Sequence, residues 1–460
     1  MSSVLNEIVA NRRRLIDQQE WLDTDVPSDR SMYDSIRASK QGLIFECKRK
    51  SPSRGMLAED YHPDVIASKY ADFASAISVL TEPDYFAGED AHLQAVRAAV
   101  DLPLLAKDFV VDVRQINHAR ALGANCVLLM MSVVDDAFWK EAFARAESLN
   151  MAVLTEVHNE AELQRAITLN APMIGINNRD LHTLTTDLDV TRQLAPMIPS
   201  DRIIISESGI ASYADLCSLG AMVHGFLIGT SMMQSADLSQ ALRSLIYSEV
   251  KVCGLTNLHD ANAAMYAGAT WGGVIMTPQS KRYQSLQQAK SWTTDCELPL
   301  VGVFMDQSIN EVCEVANELQ LSAVQLHGSE TEEFIASLKS QLPSSTAIWK
   351  TVTASDTSSD YPSASEVAPI IEEWLDQGVT KVLIDKPKHR ANDALDFSAI
   401  MGLKNVLIAG GIKVDSDVLK SGTRLAGIDI CSGVESKAGK KDMTLLKQLF
   451  EVLEVNTRND

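Results

Sequence analysis

The sequence lacks three features that would assign it to large classes of proteins. None of its seven cysteines belongs to a Cys-X-X-Cys pair and their number is odd, so we expect reduced thiols in the cytoplasm and no metal site. No apolar run approaches the ~20 residues that cross a membrane, so we expect no membrane contact. Net positive charge is also missing: the formal net charge of −20 argues against nucleic acid as a partner, because phosphate backbones attract Lys and Arg.

The printed sequence also starts without the apolar stretch of a secretory signal. Its first residues, MSSVLNEIVANRRRLID, are charged and amphipathic, so we expect no signal peptide. Val4, Leu5, Ile8, Val9 and Leu15 fall near helical spacing, which predicts an N-terminal helix.

What the sequence does contain is a series of short, almost wholly apolar segments, as expected for parallel strands covered on both faces. The first series lies at 43–48, 76–82, 102–109, 126–132, 152–158, 173–178, 202–209 and 225–231. The second series lies at 250–255, 272–277, 299–305, 322–328, 347–352, 381–385, 405–411 and 426–433. Helical stretches separate the segments, so each series has the pattern of a barrel of eight β-α units.

We therefore predict an α/β protein of two consecutive (β/α)8 TIM barrels, the first with an extra N-terminal helix. A barrel needs about 200–250 residues, so the 460 residues accommodate two. The predicted domains are 1–247 and 248–460. The join at 235–250 contains no Pro or Gly, which predicts a short and rigid connection.

Polar residues follow several strands of the first series. Glu46 and Lys48 are two apart on one strand and point to the same side, where they either address one substrate together or form a plain ion pair. Lys107 follows an apolar strand. It is either a general acid, if burial and a neighbouring cation lower its pKa, or a lysine that reaches the surface.

Two more strands of this series end in polar residues, Glu156 in one and Asn177, Asn178 and Arg179 in the other. Each residue alone is ambiguous, but polar residues at the ends of four strands indicate one active site at the carboxyl end of the barrel. The last two strands continue into SESGI and LIGTS, whose Gly and hydroxyl residues form either a phosphate site or ordinary turns. The candidate phosphate residues there are Ser208, Gly209, Gly229 and Thr230.

The second series ends in a different set of reactive groups. Cys253 is either a base or nucleophile with a lowered pKa, or a small buried residue. Asp385 is either a general acid or the cap of the next turn. Arg282 has the charge to bind an anionic substrate group. The turns AGG (409–411) and CSG (431–433) repeat the phosphate pattern of the first half, with Gly410, Gly411, Ser432 and Gly433 as candidates.

Residues 1–245 resemble the indole-3-glycerol phosphate synthase family of tryptophan biosynthesis. The resemblance is carried by ECKRKSPS, LLAKDF, LLMMSV, LTEVH, GINNRDL, ISESGI and FLIGTSMM, in the family's order and spacing. It implies conversion of 1-(2-carboxyphenylamino)-1-deoxyribulose 5-phosphate to indole-3-glycerol phosphate, with release of CO2 and water.

The resemblance also implies a role for each matching residue. Lys107 would be the general acid that activates the ribulose carbonyl, and Glu156 would act in dehydration. Lys48 would hold the anthranilate carboxylate, while Glu46 and Asn177 would orient these groups. Phosphate would be held by Ser51, Gly209, Gly229 and Thr230.

Residues 250–450 resemble the phosphoribosylanthranilate isomerase family, which catalyses the preceding step. The resemblance is carried by KVCGLT, SKRY, VGVF, VQLHG, LIAGGI and GIDICSGVESKAGKKD. It implies an Amadori rearrangement in which Asp385 protonates the furanose oxygen, Cys253 takes a proton from C2′ and Arg282 binds the anthranilate carboxylate. Gly411 and Ser432 would help to hold phosphate.

One segment departs from the isomerase pattern. The family has a glycine-rich loop after the catalytic Asp, whereas this chain has KPKHRANDALDFS at 386–398, without glycine. Either the basic residues bind phosphate by charge, or the second site is weakened or repurposed. These basic residues are Lys386, Lys388, His389 and Arg390.

The two resemblances together imply a bifunctional enzyme. We expect it to be a cytoplasmic monomer that takes phosphorylated anthranilate derivatives and needs no metal or organic cofactor. The alternatives are a synthase whose second barrel acts on another sugar phosphate, or one whose second barrel is a non-catalytic module.

Overall fold

The computed structural model describes residues 4–180, 183–387, 395–396, 400, 403, 405–420 and 426–454. Within them the chain forms two compact units, one reaching to Leu242 and the other spanning Arg243–Glu454. Each unit contains eight parallel strands closed into a barrel, which confirms the predicted fold of two consecutive (β/α)8 barrels. In the described part of the chain, no helix has the length and apolar character needed to cross a membrane.

The first unit contains eight barrel strands and one short hairpin. Its strands are β1 (Gly42–Cys47), β2 (Lys50–Ser51), β3 (Gly55–Met56), β4 (Ala76–Leu80), β5 (Leu104–Lys107), β6 (Cys126–Met130), β7 (Ala152–Val157), β8 (Met173–Asn177), β9 (Ile203–Glu207) and β10 (Gly225–Ile228). The barrel runs from β1 through β4 to β10 in chain order and closes where β10 pairs with β1. The pair β2 and β3 forms an antiparallel hairpin directly after β1.

The helices of the first unit follow the β-α alternation. They are α1 (Val4–Leu15), α2 (Met32–Ala38), α3 (Pro63–Ala71), α4 (Pro83–Phe86), α5 (Asp90–Ala99), α6 (Arg114–Ala121), α7 (Asp136–Ser148), α8 (Glu160–Thr168), α9 (Asp189–Leu194), α10 (Tyr213–Leu219), α11 (Thr230–Met233) and α12 (Leu238–Tyr247). Short 3-10 turns occupy Ala195–Met197 and Gly220–Met222.

The N-terminal segment contains the predicted helix α1 and a second helix that the sequence analysis did not predict. Helix α2 begins after Ser31, whose side chain accepts a hydrogen bond from the amide of Asp34, a sequence-local signal for a helix start. Its residues Met32 and Ile36 are fully buried and belong to the same apolar cluster as Ile44 of the barrel. Helix α2 therefore packs against the amino ends of the strands, opposite the predicted active site.

The second unit repeats the barrel. Its strands are β11 (Glu249–Cys253), β12 (Trp271–Ile275), β13 (Leu300–Phe304), β14 (Ala323–Leu326), β15 (Ala347–Thr353), β16 (Lys381–Asp385), β17 (Val406–Ile408), β18 (Gly427–Ile430), β19 (Glu435–Lys437) and β20 (Lys440–Lys441). Its helices are α13 (Leu258–Ala267), α14 (Leu286–Thr293), α15 (Ile309–Glu318), α16 (Glu332–Lys339), α17 (Val367–Asp376), α18 (Asp417–Lys420) and α19 (Met443–Leu453). The barrel closes where β18 pairs with β11, and β19 and β20 form an antiparallel hairpin.

Apolar side chains fill the interior of the second barrel. One buried cluster is contributed by five successive strands and consists of Val301, Ala323, Trp349, Leu383 and Leu407. A filled interior leaves the carboxyl ends of the strands as the place where polar side chains can meet a substrate. Helix α12 ends at Tyr247 and β11 begins at Glu249, in agreement with the short connection expected there. The domain boundary after residue 247 stays a prediction.

Candidate active sites

A cavity of about 340 Å³ opens at the carboxyl end of the first barrel. All of the residues predicted for the first half line it: Glu46, Lys48, Ser51, Lys107, Glu156, Asn177, Arg179, Ser208, Gly209, Gly229 and Thr230. Apolar side chains form the rest of the wall, among them Leu5 and Ile8 of α1, Phe86 and Phe109. The cavity thus combines charged groups with walls suited to an aromatic ring.

Lys107 stands at the end of β5 between two buried carboxylates. Its Nζ lies 2.6 Å from Oε2 of Glu207 and 3.4 Å from Oε2 of Glu156. Glu207 is the last residue of β9 and is 1% exposed, and it also lines the cavity. The sequence analysis used its neighbours Ser208 and Gly209 but missed Glu207, although its position at the end of an apolar strand matches that of Glu156.

The pKa of Lys107 is shifted in the direction opposite to the expected one. Burial by itself lowers the pKa of an ammonium group, but Glu207, Glu156 and Glu46 outweigh burial and raise the pKa of Lys107. Lys48, another cation that lines the cavity, is itself paired with Glu46 at 2.6 Å. Lys107 therefore carries its proton throughout the neutral pH range.

The two carboxylates beside Lys107 have pKa values that differ widely. Burial opposes ionisation of Glu156, yet Lys107 and His158 outweigh it and lower the pKa of Glu156 to about 2. Burial raises the pKa of Glu207 to about 7, although Lys107 partly offsets this effect. His158 lies 3.2 Å from Glu156 and was not predicted from the sequence. Carboxyl groups with such different pKa values can divide the roles of base and acid at neutral pH.

A glycine on the neighbouring strand makes room for Glu207. A Cβ atom at Gly175 of β8 would lie 2.0 Å from Oε1 of Glu207. The hydrogen-bonding network continues to Asn177 on the same strand, whose side chain bonds to Glu156 and whose Oδ1 accepts from the amide of Arg179 at 3.0 Å. Gly175 is therefore part of what places the carboxylate beside Lys107.

The groups predicted to bind phosphate line the same cavity as the Glu46–Lys48 pair. The hydroxyl of Ser51 is buried and has no hydrogen-bond partner among the described residues, so it remains available to a ligand. Ser208 and Gly209 both have positive φ, at 66° and 83°. Gly229 allows close approach to Glu46, because a Cβ there would lie 2.5 Å from Oε1 of Glu46.

Cys253 of the second barrel lies among cationic groups. Lys251, two residues earlier on β11, is fully buried and lies 3.0 Å from Oδ1 of Asp429 on β18. Lys441 of the hairpin donates a hydrogen bond to the carbonyl oxygen of Cys253 at 2.6 Å. The thiol of Cys431 donates a hydrogen bond to the sulfur of Cys253 and is the main cause that holds the pKa of Cys253 well below its ordinary value. Burial opposes this shift, and Lys251 and Lys441 add to it.

The other predicted residues of the second half stand around Cys253. Asp385 ends β16 and lies 3.1 Å from Nε2 of His327. Arg282 is held by Glu435, which accepts hydrogen bonds from Nε and Nη2 at 2.6–3.0 Å. Nη1 has no hydrogen-bond partner among the described residues. Neither Glu435 nor the partly buried Asp429 was predicted from the sequence.

The two glycine turns of the second half are in contact. Gly410 and Gly411 both have positive φ, at 89° and 73°, a conformation that favours glycine and turns successive amides toward one side. A Cβ at Gly433 would lie 2.0 Å from the carbonyl oxygen of Ile412, so the turn that contains Ser432 packs directly on the first one. Lys386 follows Asp385 and is described, whereas Lys388, His389 and Arg390 lie outside the described residues.

Acid–base groups and anion-accepting turns at the carboxyl ends of both barrels define the chain as a barrel enzyme with two sites. A family model described as indole-3-glycerol phosphate synthase matches residues 3–245, and one described as N-(5'phosphoribosyl)anthranilate (PRA) isomerase matches residues 250–452. The chain belongs to the family of bifunctional enzymes that join these two domains.

Relatives with the same domain pair match along nearly the whole chain. Tryptophan biosynthesis protein TrpCF of Salmonella typhi is 41% identical over 98% of this chain and 99% of that protein. The protein of the same name from Yersinia pestis is 41% identical over 93% of this chain and 88% of that protein. The protein of the same name from Vibrio cholerae is 40% identical over 93% of this chain and 89% of that protein.

The family membership confirms the predicted bifunctional enzyme of tryptophan biosynthesis. The first barrel is a decarboxylating carbon–carbon lyase and the second is an isomerase. Phosphorylated derivatives of anthranilate fit both domains as substrates. The second barrel is therefore assigned as the isomerase rather than as a non-catalytic module or an enzyme for an unrelated sugar phosphate.

Proposed function

We propose that Lys107, Glu156 and Glu207 carry out the proton transfers of ring closure in the first barrel. The observation that carries this proposal is the position of the Lys107 ammonium between two buried carboxylates in one cavity. Lys107 is protonated at neutral pH and donates to the ribulose carbonyl oxygen when the ring carbon attacks. CO2 then leaves, and the electron pair of the broken carbon–carbon bond stays on the ring and restores its aromaticity.

Dehydration requires a base and an acid at the same place. Glu156, with a pKa of about 2, is ionised and accepts the proton lost from the closed ring. Glu207, with a pKa of about 7, holds a proton in part of the molecules at neutral pH and keeps Lys107 in position. The hydroxyl group leaves as water with the proton that Glu207 holds, and Lys107, which gave its proton to the carbonyl oxygen, regains one from solvent, so the atoms balance.

The remaining residues of the cavity bind the substrate. Lys48 holds the anthranilate carboxylate and Glu46 fixes Lys48 through their 2.6 Å contact. Asn177 and Arg179 bind the sugar hydroxyl groups and the anionic end of the substrate. The phosphate accepts hydrogen bonds from Ser51 and from the turns that contain Ser208, Gly209, Gly229 and Thr230.

The substitution Gly175→Ala tests the placement of Glu207. The new Cβ would lie 2.0 Å from Oε1 of Glu207 and 3.1 Å from Cδ1 of Leu154, both at the far ends of side chains, so the protein should fold while the carboxylate moves away from Lys107. We expect the synthase kcat to fall by about 10²-fold, because a displacement of this size misaligns the reacting groups. Synthase kcat and KM and the urea midpoint are measured together.

Gly42→Ala is a matched control in the same barrel. Its Cβ would lie 2.8 Å from Ile36 at the amino end of the strands, so it should lower the free energy of unfolding and leave kcat unchanged. A Gly175→Ala protein with wild-type kcat would contradict the role given to Glu207.

For the second barrel, we propose that the Cys253 thiolate takes the proton from C2′ while Asp385 protonates the furanose oxygen. Support comes from the lowered pKa of Cys253 and from the shared site of the two residues, where Asp429 interacts electrostatically with both. Arg282 receives the anthranilate carboxylate at Nη1 while Glu435 holds the other side of its guanidinium group. Gly410, Gly411, Ser432 and Gly433 receive the phosphate.

Alkylation by iodoacetamide tests the thiolate directly. An ordinary thiol, with a pKa of about 8.5, reacts about tenfold more slowly for each pH unit below that value. Because the pKa of Cys253 is lowered, its thiolate persists at lower pH and its alkylation rate should be constant between about pH 7 and 8.5. Mass spectrometry of the tryptic peptide 252–281 reports this rate.

Two comparisons belong to this experiment. Cys431→Ala removes the hydrogen-bond donor and should restore the pH dependence at Cys253. Cys313 of the same chain, whose pKa is raised by burial, provides the ordinary slope. A tenfold change per pH unit at Cys253 of the wild-type chain would rule out the thiolate as the resting base.

We also propose that the chain acts as a monomer in the cytoplasm. Support comes from its reduced thiols and from the presence of both sites on one polypeptide. Sedimentation equilibrium at micromolar concentration measures the mass in solution, and a value of twice the chain mass would contradict the monomer.

A further inference from the structure

We propose that Cys253 and Cys431 form a modification site, at which a peroxide oxidises the two thiols to a disulfide and stops the isomerase. The loss of activity rests on the proposed role of Cys253 as the base, whereas the disulfide itself does not. Both cysteines are free thiols in this structure.

The register of β11 and β18 brings the two cysteines together. The parallel pairs along these strands are Lys251↔Asp429 and Val252↔Ile430, so the next pair is Cys253 with Cys431. Side chains two residues apart point to the same side of a strand. The Lys251–Asp429 contact of 3.0 Å shows that side chains on this side of the two strands meet, and Cys253 and Cys431 stand one step further toward the barrel mouth.

The spacing of adjacent strands suits a disulfide. Neighbouring strands lie about 4.8 Å apart, within the Cα separation of about 4.4–6.8 Å that disulfides require. The Cys431 thiol also lies close enough to Cys253 to lower the pKa of that residue. A Cβ at Gly254 would lie 3.0 Å from Sγ of Cys431, so this glycine leaves space for the Cys431 sulfur beside the end of β11.

The oxidation proceeds in two balanced steps. The Cys253 thiolate attacks one oxygen of the peroxide, and the O–O bond breaks to give a sulfenic acid and, after proton uptake, water or an alcohol. The sulfur of Cys431 then attacks the sulfenic sulfur, losing its proton, and hydroxide leaves and is protonated to water. The peroxide is reduced by two electrons, and the two thiols lose them.

The rest of the chain makes the modification selective. Cys253 is buried, with 6% of its surface exposed, but it stands at the end of its strand beside the partly exposed Cys431, which gives a small oxidant a path to the pair. Burial raises the pKa values of Cys47 and Cys126 in the first barrel, which disfavours their thiolates. No cysteine is among the described residues that line the synthase cavity. The synthase activity of the same chain is therefore an internal control.

The test treats the full-length protein with hydrogen peroxide and then measures peptides and both activities. We expect a tryptic species joining peptide 252–281 to peptide 425–437, each of which contains one cysteine. Isomerase turnover should fall by about 10²-fold or more, as for loss of a general base, and dithiothreitol should restore it. Synthase turnover should stay unchanged.

Two variants sharpen the result. Cys431→Ser cannot form the cross-link, so continued peroxide should carry Cys253 to a sulfinic acid that dithiothreitol does not reverse. Cys313→Ser, on helix α15, should behave as the wild type. Each activity is compared with that of the same variant before treatment.

The outcomes separate this proposal from the proposed role of Cys253. Oxidation of Cys253 in the wild-type chain without the cross-linked peptide would overturn the disulfide, whatever happens to turnover. A complete cross-link with undiminished isomerase activity would uphold the disulfide and overturn both the stop of the isomerase and the role of Cys253 as the base.

Discussion

Lys107→Ala should abolish ring closure while the isomerase continues at the wild-type rate. The substitution removes the proton donor that lies between Glu156 and Glu207, and a general acid contributes about 10²–10⁴-fold to the rate. It also leaves Glu207 without the cation that partly offsets its burial, so the pKa of Glu207 should rise further and this carboxyl group should hold a proton at neutral pH. We expect synthase kcat to fall by at least about 10²-fold.

The measurement is steady-state turnover of each substrate by the same purified variant. Lys107→Met retains most of the side-chain volume without the charge and should lose as much activity, which separates proton transfer from packing. Lys140→Ala, at an exposed position of helix α7, should retain both activities. Loss of both activities in a folded Lys107→Ala protein would contradict two independent sites.

Cys253→Ala should stop the isomerase and leave the synthase active. The substitution removes the proposed base of the Amadori rearrangement, so isomerase kcat should fall by about 10²-fold or more while synthase turnover stays unchanged. This loss of kcat should exceed any effect of altered packing. Removing the thiol leaves only a small space, and the contacts of Lys251, Asp429 and Lys441 hold the rest of the site in place.

Two further variants make this result specific. Cys253→Ser keeps the size of the side chain, but an alcohol is far harder to ionise than a thiol, so we expect a comparable loss. Asp385→Asn should also stop the isomerase, since it removes the proposed proton donor and alters the contact with His327. Wild-type turnover in Cys253→Ala would show that another group takes the proton from C2′.

Much of the site could be predicted because reactive residues follow directly after apolar strands. Glu46, Lys107, Glu156 and Asn177 lie at or near the ends of such strands, and the closed barrel brings them into one cavity. Glu207 follows the same rule. It was missed because the segment SESGI was interpreted only through the turn residues Ser208 and Gly209. Asp429 and Lys251 were missed because a charged residue inside an apolar strand gives no indication of its partner.

The sequence by itself determined the number and order of the barrel strands, the two barrels, the N-terminal helix and the candidates for catalysis. These features follow from local alternation of apolar segments with helices, which the chain carries in its own order. The tertiary structure decided which charges meet. The partners of Lys107 come from positions 49 and 100 residues away, and Lys251 meets Asp429 across 178 residues.

These long separations along the chain explain why the pKa shift of Lys107 has the opposite direction to the one considered from the sequence. Lys107 was expected to have a lowered pKa next to a cation, but barrel closure surrounds it with carboxylates and raises its pKa. A pKa depends on charges a few ångströms away in space, and spacing along the chain does not give those distances. The pairing of Cys253 with Cys431 has the same origin, since only the register of β11 and β18 joins the first strand of the second barrel to its last.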